Sequence, residues 1–166
     1  MKVRGSFIVS RTSLSLTLLV LLSNANAQSK NSKYACSEPT PAQLCTAVNT
    51  CGSASTPCTV DVKRTADSAS ATPSIPNAKG NSLFCVRVGT TVTWNSSEKD
   101  NGFVVDVGPA SPFEPAGAII GGSDRSVSVV AKRPGCFKYS AGACRSGATY
   151  GMCDTATAEL LVTDGK

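Results

Sequence analysis

Eight cysteines, Cys36, Cys45, Cys51, Cys58, Cys85, Cys136, Cys144 and Cys153, constrain what this chain can fold into more than any other feature. Their number is even, and all lie beyond an N-terminal stretch with the marks of an export signal. In an oxidising compartment such a set is read first as disulfides, because bridges persist there and thiols do not. Zinc is the rival use of clustered thiolates, but the chain has no Cys-x-x-Cys and no histidine, so the usual zinc spacings fail. Eight cysteines admit roughly a hundred pairings, and spacing alone does not choose among them.

The export signal rests on Lys2, Arg4 and Arg11 without an acid, an apolar run from Leu14 to Leu22, and Ala25-Asn26-Ala27, whose small residues suit signal peptidase. Cleavage is expected after Ala27. Residues 1–27 are then a signal peptide, and the protein is secreted, or periplasmic if the source is bacterial. The apolar run falls well short of the roughly 20 residues that span a bilayer, and no second one follows, so no membrane span is expected in the mature chain. Cleavage removes those three cations from the 16 Lys and Arg and nothing from the 11 Asp and Glu. The mature chain is left near neutral, with no basic run longer than Lys63-Arg64 or Lys132-Arg133. Nucleic-acid binding, which depends on neutralising several phosphates together, has no basis here.

Residues 28–58 form a polar, cysteine-dense segment punctuated by Pro39, Pro41 and Pro57. It has too few apolar residues to hold itself folded, and two local bridges are the simplest way to order it. Residues 59–164 read differently. Thr59–Thr65 alternates apolar and polar, the period of a half-buried strand. The Ser-, Ala- and Pro-rich stretch 66–82 reads as a surface loop. Leu83–Val88 places Phe84, Val86 and Val88 on one face and Cys85 and Arg87 on the other; Thr91–Asn95 puts Val92 and Trp94 together. Phe103–Val107 is strand-like, and 108–122, with Pro109, Pro112 and Pro115, reads as a long irregular excursion. Asp124–Ala131 turns Val127 and Val129 inward. Phe137 and Tyr139 share a face opposite Cys136 and Lys138, and Ala156–Thr163 turns Leu160 and Val162 inward. About seven short strands without an amphipathic helix predict an all-β sandwich. Cys85 and Cys136 both face away from the core side, and they pair with each other if their strands are neighbours.

Two phrases carry a resemblance. The run FCVRVGTTVTWN at 84–95, and the run from Val127 through Pro134-Gly135, Phe137, Tyr139 and Gly151-Met152 to Leu160-Leu161-Val162, are similar in order and separation to the two halves of a cupredoxin. The resemblance covers about residues 59–164 and implies a cupredoxin-like Greek-key β-sandwich, here with a Cys-rich N-terminal extension. In that family a copper ion takes two His, one Cys and a weak axial Met, a set suited to rapid one-electron transfer. Carried over by motif, the first His falls at Asn101 to Phe103, the Cys at Ala141 and the second His at Ala143 or Cys144. None of these carries its family ligand. Met152 alone matches, as the axial position. Gly142-Ala143-Cys144 is similar to the Gly-His-Cys of the plant phytocyanins, a branch that includes members without copper, but their partner cysteine within 108–122 is missing.

The resemblance therefore implies a fold whose type 1 copper site is degenerate. One alternative retains copper: reduced Cys144 and Cys153 with Met152 form an all-sulfur set acceptable to Cu(I). The other closes Cys144 on Cys153 as a disulfide that staples the loop, with Met152 as packing. Without histidine, Ser-His-Asp and Cys-His machinery cannot be built. The carboxylate pairs Glu98 with Asp100 and Asp106 with Glu114 sit where any soluble protein places acids. Gly117, Gly121 and Gly122 lack the strand-to-helix setting of a phosphate loop, and Asn95-Ser96-Ser97 is a formal glycosylation acceptor. Trp94 and Tyr139 read as core, leaving Tyr150 as a lone aromatic candidate. The expectation is a secreted, non-catalytic protein without a cofactor, acting by surface recognition of an extracellular protein or glycan, or structurally. Burial of Trp94 against Phe137 or Val129 is required if the two halves are aligned correctly.

Overall fold

The computed structural model describes residue 36 and residues 41–66, 68–145 and 154–164. The expected signal peptide, Tyr150, Met152 and Cys153 lie outside these residues. The described chain is all-β apart from one short helix, α1 (Pro41–Leu44). The strands are β1 (Cys58–Arg64), β2 (Ala69–Pro73), β3 (Phe84–Arg87), β4 (Thr91–Asn95), β5 (Asn101–Asp106), β6 (Phe113–Glu114), β7 (Ile119–Gly122), β8 (Val127–Ala131), β9 (Gly135–Arg145) and β10 (Asp154–Thr163). They form two five-stranded sheets, ordered β2-β1-β4-β8-β6 and β3-β10-β9-β5-β7. Both sheets are mixed: β1 runs parallel to β4 and β10 parallel to β3, and the other pairings are antiparallel.

Period-two patterning produces this arrangement. In β4 and β5, and in β1 as far as Val62, every second residue is buried, and apart from Asn101 these residues from both sheets meet in one apolar core. Trp94 is fully buried in that core, together with Val129 and the partly buried Phe137. Its ring stands edge-on to Tyr139 at 5.4 Å and to Phe113 at 6.4 Å. Gly89, at φ 91°, supplies the left-handed residue that turns β3 into β4, a conformation a side chain would strain.

Two stretches expected to be irregular contain strands. Within 66–82, β2 alternates buried Ala69, Ala71 and Pro73 with Ser70 and Thr72. Its inward side chains are small, so a hydrophobicity reading passes over it, and its edge position tolerates the terminal proline. Asn81 folds back on it: the side-chain oxygen accepts the Ala71 N–H at 2.9 Å and the Asn81 N–H donates to the Ala71 carbonyl at 2.8 Å. Within 108–122 lie the short β6 and β7.

The Cys-rich segment is not closed on itself. Cys51 bridges Cys58 locally, but Cys45 reaches Cys85 and Cys36 reaches Cys136. The expected pairing of Cys85 with Cys136 is therefore wrong, and the register explains why. Leu161 of β10 is opposite Cys85 on one side and Cys136 on the other. The two cysteines are two strand spacings apart, about 9–10 Å, beyond the reach of a disulfide. Both do face away from the core side, and the N-terminal segment comes to them. It also covers the edge of β3, where the Cys85 N–H donates to Asn49 O and the Cys51 N–H donates to Cys85 O, each at 2.8 Å. Three disulfides suit an oxidising extracellular setting. Among the described residues no helix is long and apolar enough to cross a membrane.

Asp61 in β1 holds the loop after β4. Its carboxylate accepts the Ser97 N–H at 2.8 Å, the Ser97 hydroxyl at 2.7 Å and the Lys63 ammonium at 2.9 Å. Burial pushes this carboxyl's pKa up, but the hydrogen bonds from Lys63 and Ser97 and the Lys63 charge together outweigh it and hold the group below the ordinary aspartate value. A depressed folded-state pKa gives stability that is present above the unfolded-state value and is lost as pH falls through the folded one. Denaturation midpoints of wild type and Asp61→Asn should therefore differ at neutral pH and converge as pH drops below about 4. A gap that ignores pH would remove Asp61 from this role.

Candidate functional site

Strands β5 and β9 are direct neighbours, and their register brings the positions singled out by the resemblance together at one end of the sandwich. Asn101 is opposite Arg145, Gly102 opposite Cys144, Phe103 opposite Ala143, and Val105 opposite Ala141. Alternation sends Phe103, Ala141 and Ala143 inward, and all three are buried. The Phe103 ring lies over Gly121, its partner on β7, so closely that a Cβ there would come within 2.5 Å of the ring and of the Arg125 carbonyl. Cys144 is partly exposed and disulfide-bonded.

A type 1 copper ion requires two imidazoles and a thiolate. The groups meeting here are a phenyl ring, two methyl groups and an oxidised sulfur, and they do not fit such an ion. Among the described residues no three His, Cys, Asp or Glu side chains cluster in a way that could hold a metal.

The four carboxylates each have their own surroundings. Glu98 accepts the Arg64 N–H at 3.2 Å and the Asn101 side-chain amide, a structural clamp on the start of β5. Asp100 is exposed at a turn with φ 61°. Asp106 accepts the Gly108 N–H at 2.9 Å on one sheet, while Glu114 pairs with Lys132 at 3.9 Å on the other. The Asn95-Ser96-Ser97 acceptor is drawn into the structure: the Asn95 side-chain oxygen and the Ser96 hydroxyl are buried, and Ser97 is bound to Asp61. Trp94 and Tyr139 are core residues, not a sugar platform.

Sequence reasoning did not single out the groove outside these buried positions. It encloses about 510 Å³ and is lined by Asp100, Asn101, Ile120, Asp124, Arg125 and Arg145, among others. On the far side of Asn101 and Arg145 a second hollow of about 460 Å³ lies against Arg64, Glu98 and Lys99. These charges come from four separate turns and strand ends, so no local motif announces them. Asn101 ties the end together, since its carbonyl accepts the Ser123 N–H at 2.9 Å while its side chain binds Glu98. The groove is open and mixed in sign. No family model and no curated protein matches this chain.

Proposed function

We propose that this chain is a secreted, non-catalytic protein of cupredoxin-like fold without a type 1 copper site, acting by surface recognition or a structural role outside the cell. The observation that carries this reading is the packing of Phe103, Ala141 and Ala143 at the positions where the resemblance calls for ligands. Converting that end to a copper centre would need donor atoms where the core now has only carbon, so the loss is built into the packing and is not a matter of one missing side chain. The three bridges support export. Cys144 is disulfide-bonded as well, which supports the reading of this region as a cystine loop over one that offers free thiolates to copper.

The test combines metal analysis, thiol titration and disulfide mapping on the native exported protein. The expected result is no stoichiometric metal, no free thiol, a Cys144–Cys153 peptide, and no intense visible charge-transfer band when Cu(II) is added. An intense band would overturn the claim about the copper site. Free thiols at Cys144 and Cys153 with bound Cu(I) would establish the sulfur-ligand alternative that includes Met152.

A further inference from the structure

Lys99 lies in the loop between β4 and β5, Arg145 at the end of β9 and Arg64 at the end of β1, on the other sheet. All three line the hollow of about 460 Å³, together with Thr65, Glu98 and Asn101. One carboxylate thus stands against three cations. Glu98 is itself committed, since it accepts the Arg64 N–H and the Asn101 side-chain amide. Lys99 and Arg145 are exposed, and among the described residues neither has an ion-pair partner. A single exposed cation holds an anion weakly, whereas cations brought to one hollow from both sheets act together on one bound carboxylate. The neighbouring groove of about 510 Å³ shares Asn101 and Arg145 with this hollow, but it is balanced, with Arg125 and Arg145 against Asp100 and Asp124.

We propose that this end of the sandwich binds an acidic glycan whose carboxylates are widely spaced, with one uronate in the hollow of Arg64, Lys99 and Arg145 and neutral sugar in the groove beside it. The pattern of sign selects this ligand. A second anion entering the groove meets Asp100 and Asp124, so a heavily sulfated chain or a run of acidic residues is disfavoured by like charge. Neutral sugar suits the groove, because its hydroxyls donate to carboxylates and accept from guanidinium and amide groups. Apart from Ile120 and the bonded Cys144, the groove's side chains are charged or polar, which leaves little to hold the apolar side chains of a peptide.

This inference rests on the surface-recognition reading and names its ligand class. The two fail separately, because the metal and thiol assays do not depend on glycan binding. The test is calorimetric titration of the oxidised exported protein with an oligosaccharide that alternates glucuronate and N-acetylglucosamine. Its carboxyl-reduced form, a heavily sulfated oligosaccharide and polyglutamate are titrated beside it. The alternating oligosaccharide is expected to bind, more weakly as salt is added, and about tenfold or more tighter than any of the other three. Lys99→Ala combined with Arg145→Gln should weaken it about tenfold or more, whereas Lys132→Ala, at the opposite end of the first sheet, should leave it unchanged. Circular dichroism and an unchanged disulfide map establish that the variants are folded. The proposal is overturned if the alternating oligosaccharide does not bind, if its carboxyl-reduced form or either polyanion binds as well or better, or if the double variant binds like wild type.

Discussion

Replacing Cys45 and Cys85 together by alanine is expected to lower the unfolding free energy by about 4 kcal/mol, and replacing Cys51 and Cys58 by roughly 2 kcal/mol. The difference follows from the chain each bridge closes. Cys45–Cys85 spans 40 residues and Cys51–Cys58 only 7, and loop-closure entropy withheld from the unfolded chain grows with that length. The longer bridge also has a local role. It anchors the segment whose Asn49 and Cys51 cover the β3 edge, so its loss frees that edge as well as the unfolded chain. Alanine at both ends avoids an unpaired thiol that could shuffle. Guanidinium denaturation, with the slope checked for constancy, reads both effects. If the two double variants lose equal stability, within about 1 kcal/mol, the N-terminal segment is not held as described.

Leu161 shows what could be read from sequence and what could not. Alternation places Leu160 and Val162 inward, and both are buried; it places Leu161 outward, yet Leu161 is buried too. The reason is long-range: Cys85 and Cys136 flank Leu161 on the outer face, and the N-terminal segment is stapled to that face by both. Period-two reasoning identifies faces of strands, but it does not report what lies over them. The same limit produced the error over Cys85 and Cys136, because the face was right while strand order, which puts β10 between them, has no local signal. β2 is hard to read for another reason, since Ala69 and Ala71 give a correct alternation too small in volume to register. At the candidate site, the missing histidines were plain in the sequence. Pairing of Phe103 with Ala143 needs the register.

Trp94→Ala is expected to cost about 3–5 kcal/mol, the range for removing a buried indole. Its position makes the upper half of that range the natural outcome. Trp94 lies on β4, the central strand of one sheet, and Tyr139 lies on β9, the third of five in the other. The edge-on contact between them at 5.4 Å joins the two layers, and Phe113 and Phe84 extend it on either side. Among the described residues neither the buried indole nitrogen nor the buried Tyr139 hydroxyl has a hydrogen-bond partner, and burial pushes the Tyr139 pKa up. An unpaired buried polar group costs about 1–3 kcal/mol, so Trp94→Phe should lose much less than the alanine change, and Tyr139→Phe should be neutral or stabilising. Because Trp94 is the only tryptophan, unfolding must be followed by circular dichroism and not by indole fluorescence. A large loss in Tyr139→Phe would mean that its hydroxyl has a partner in solution, such as a buried water shared with the indole N–H. A small loss in Trp94→Ala would mean that the two sheets are held together somewhere else.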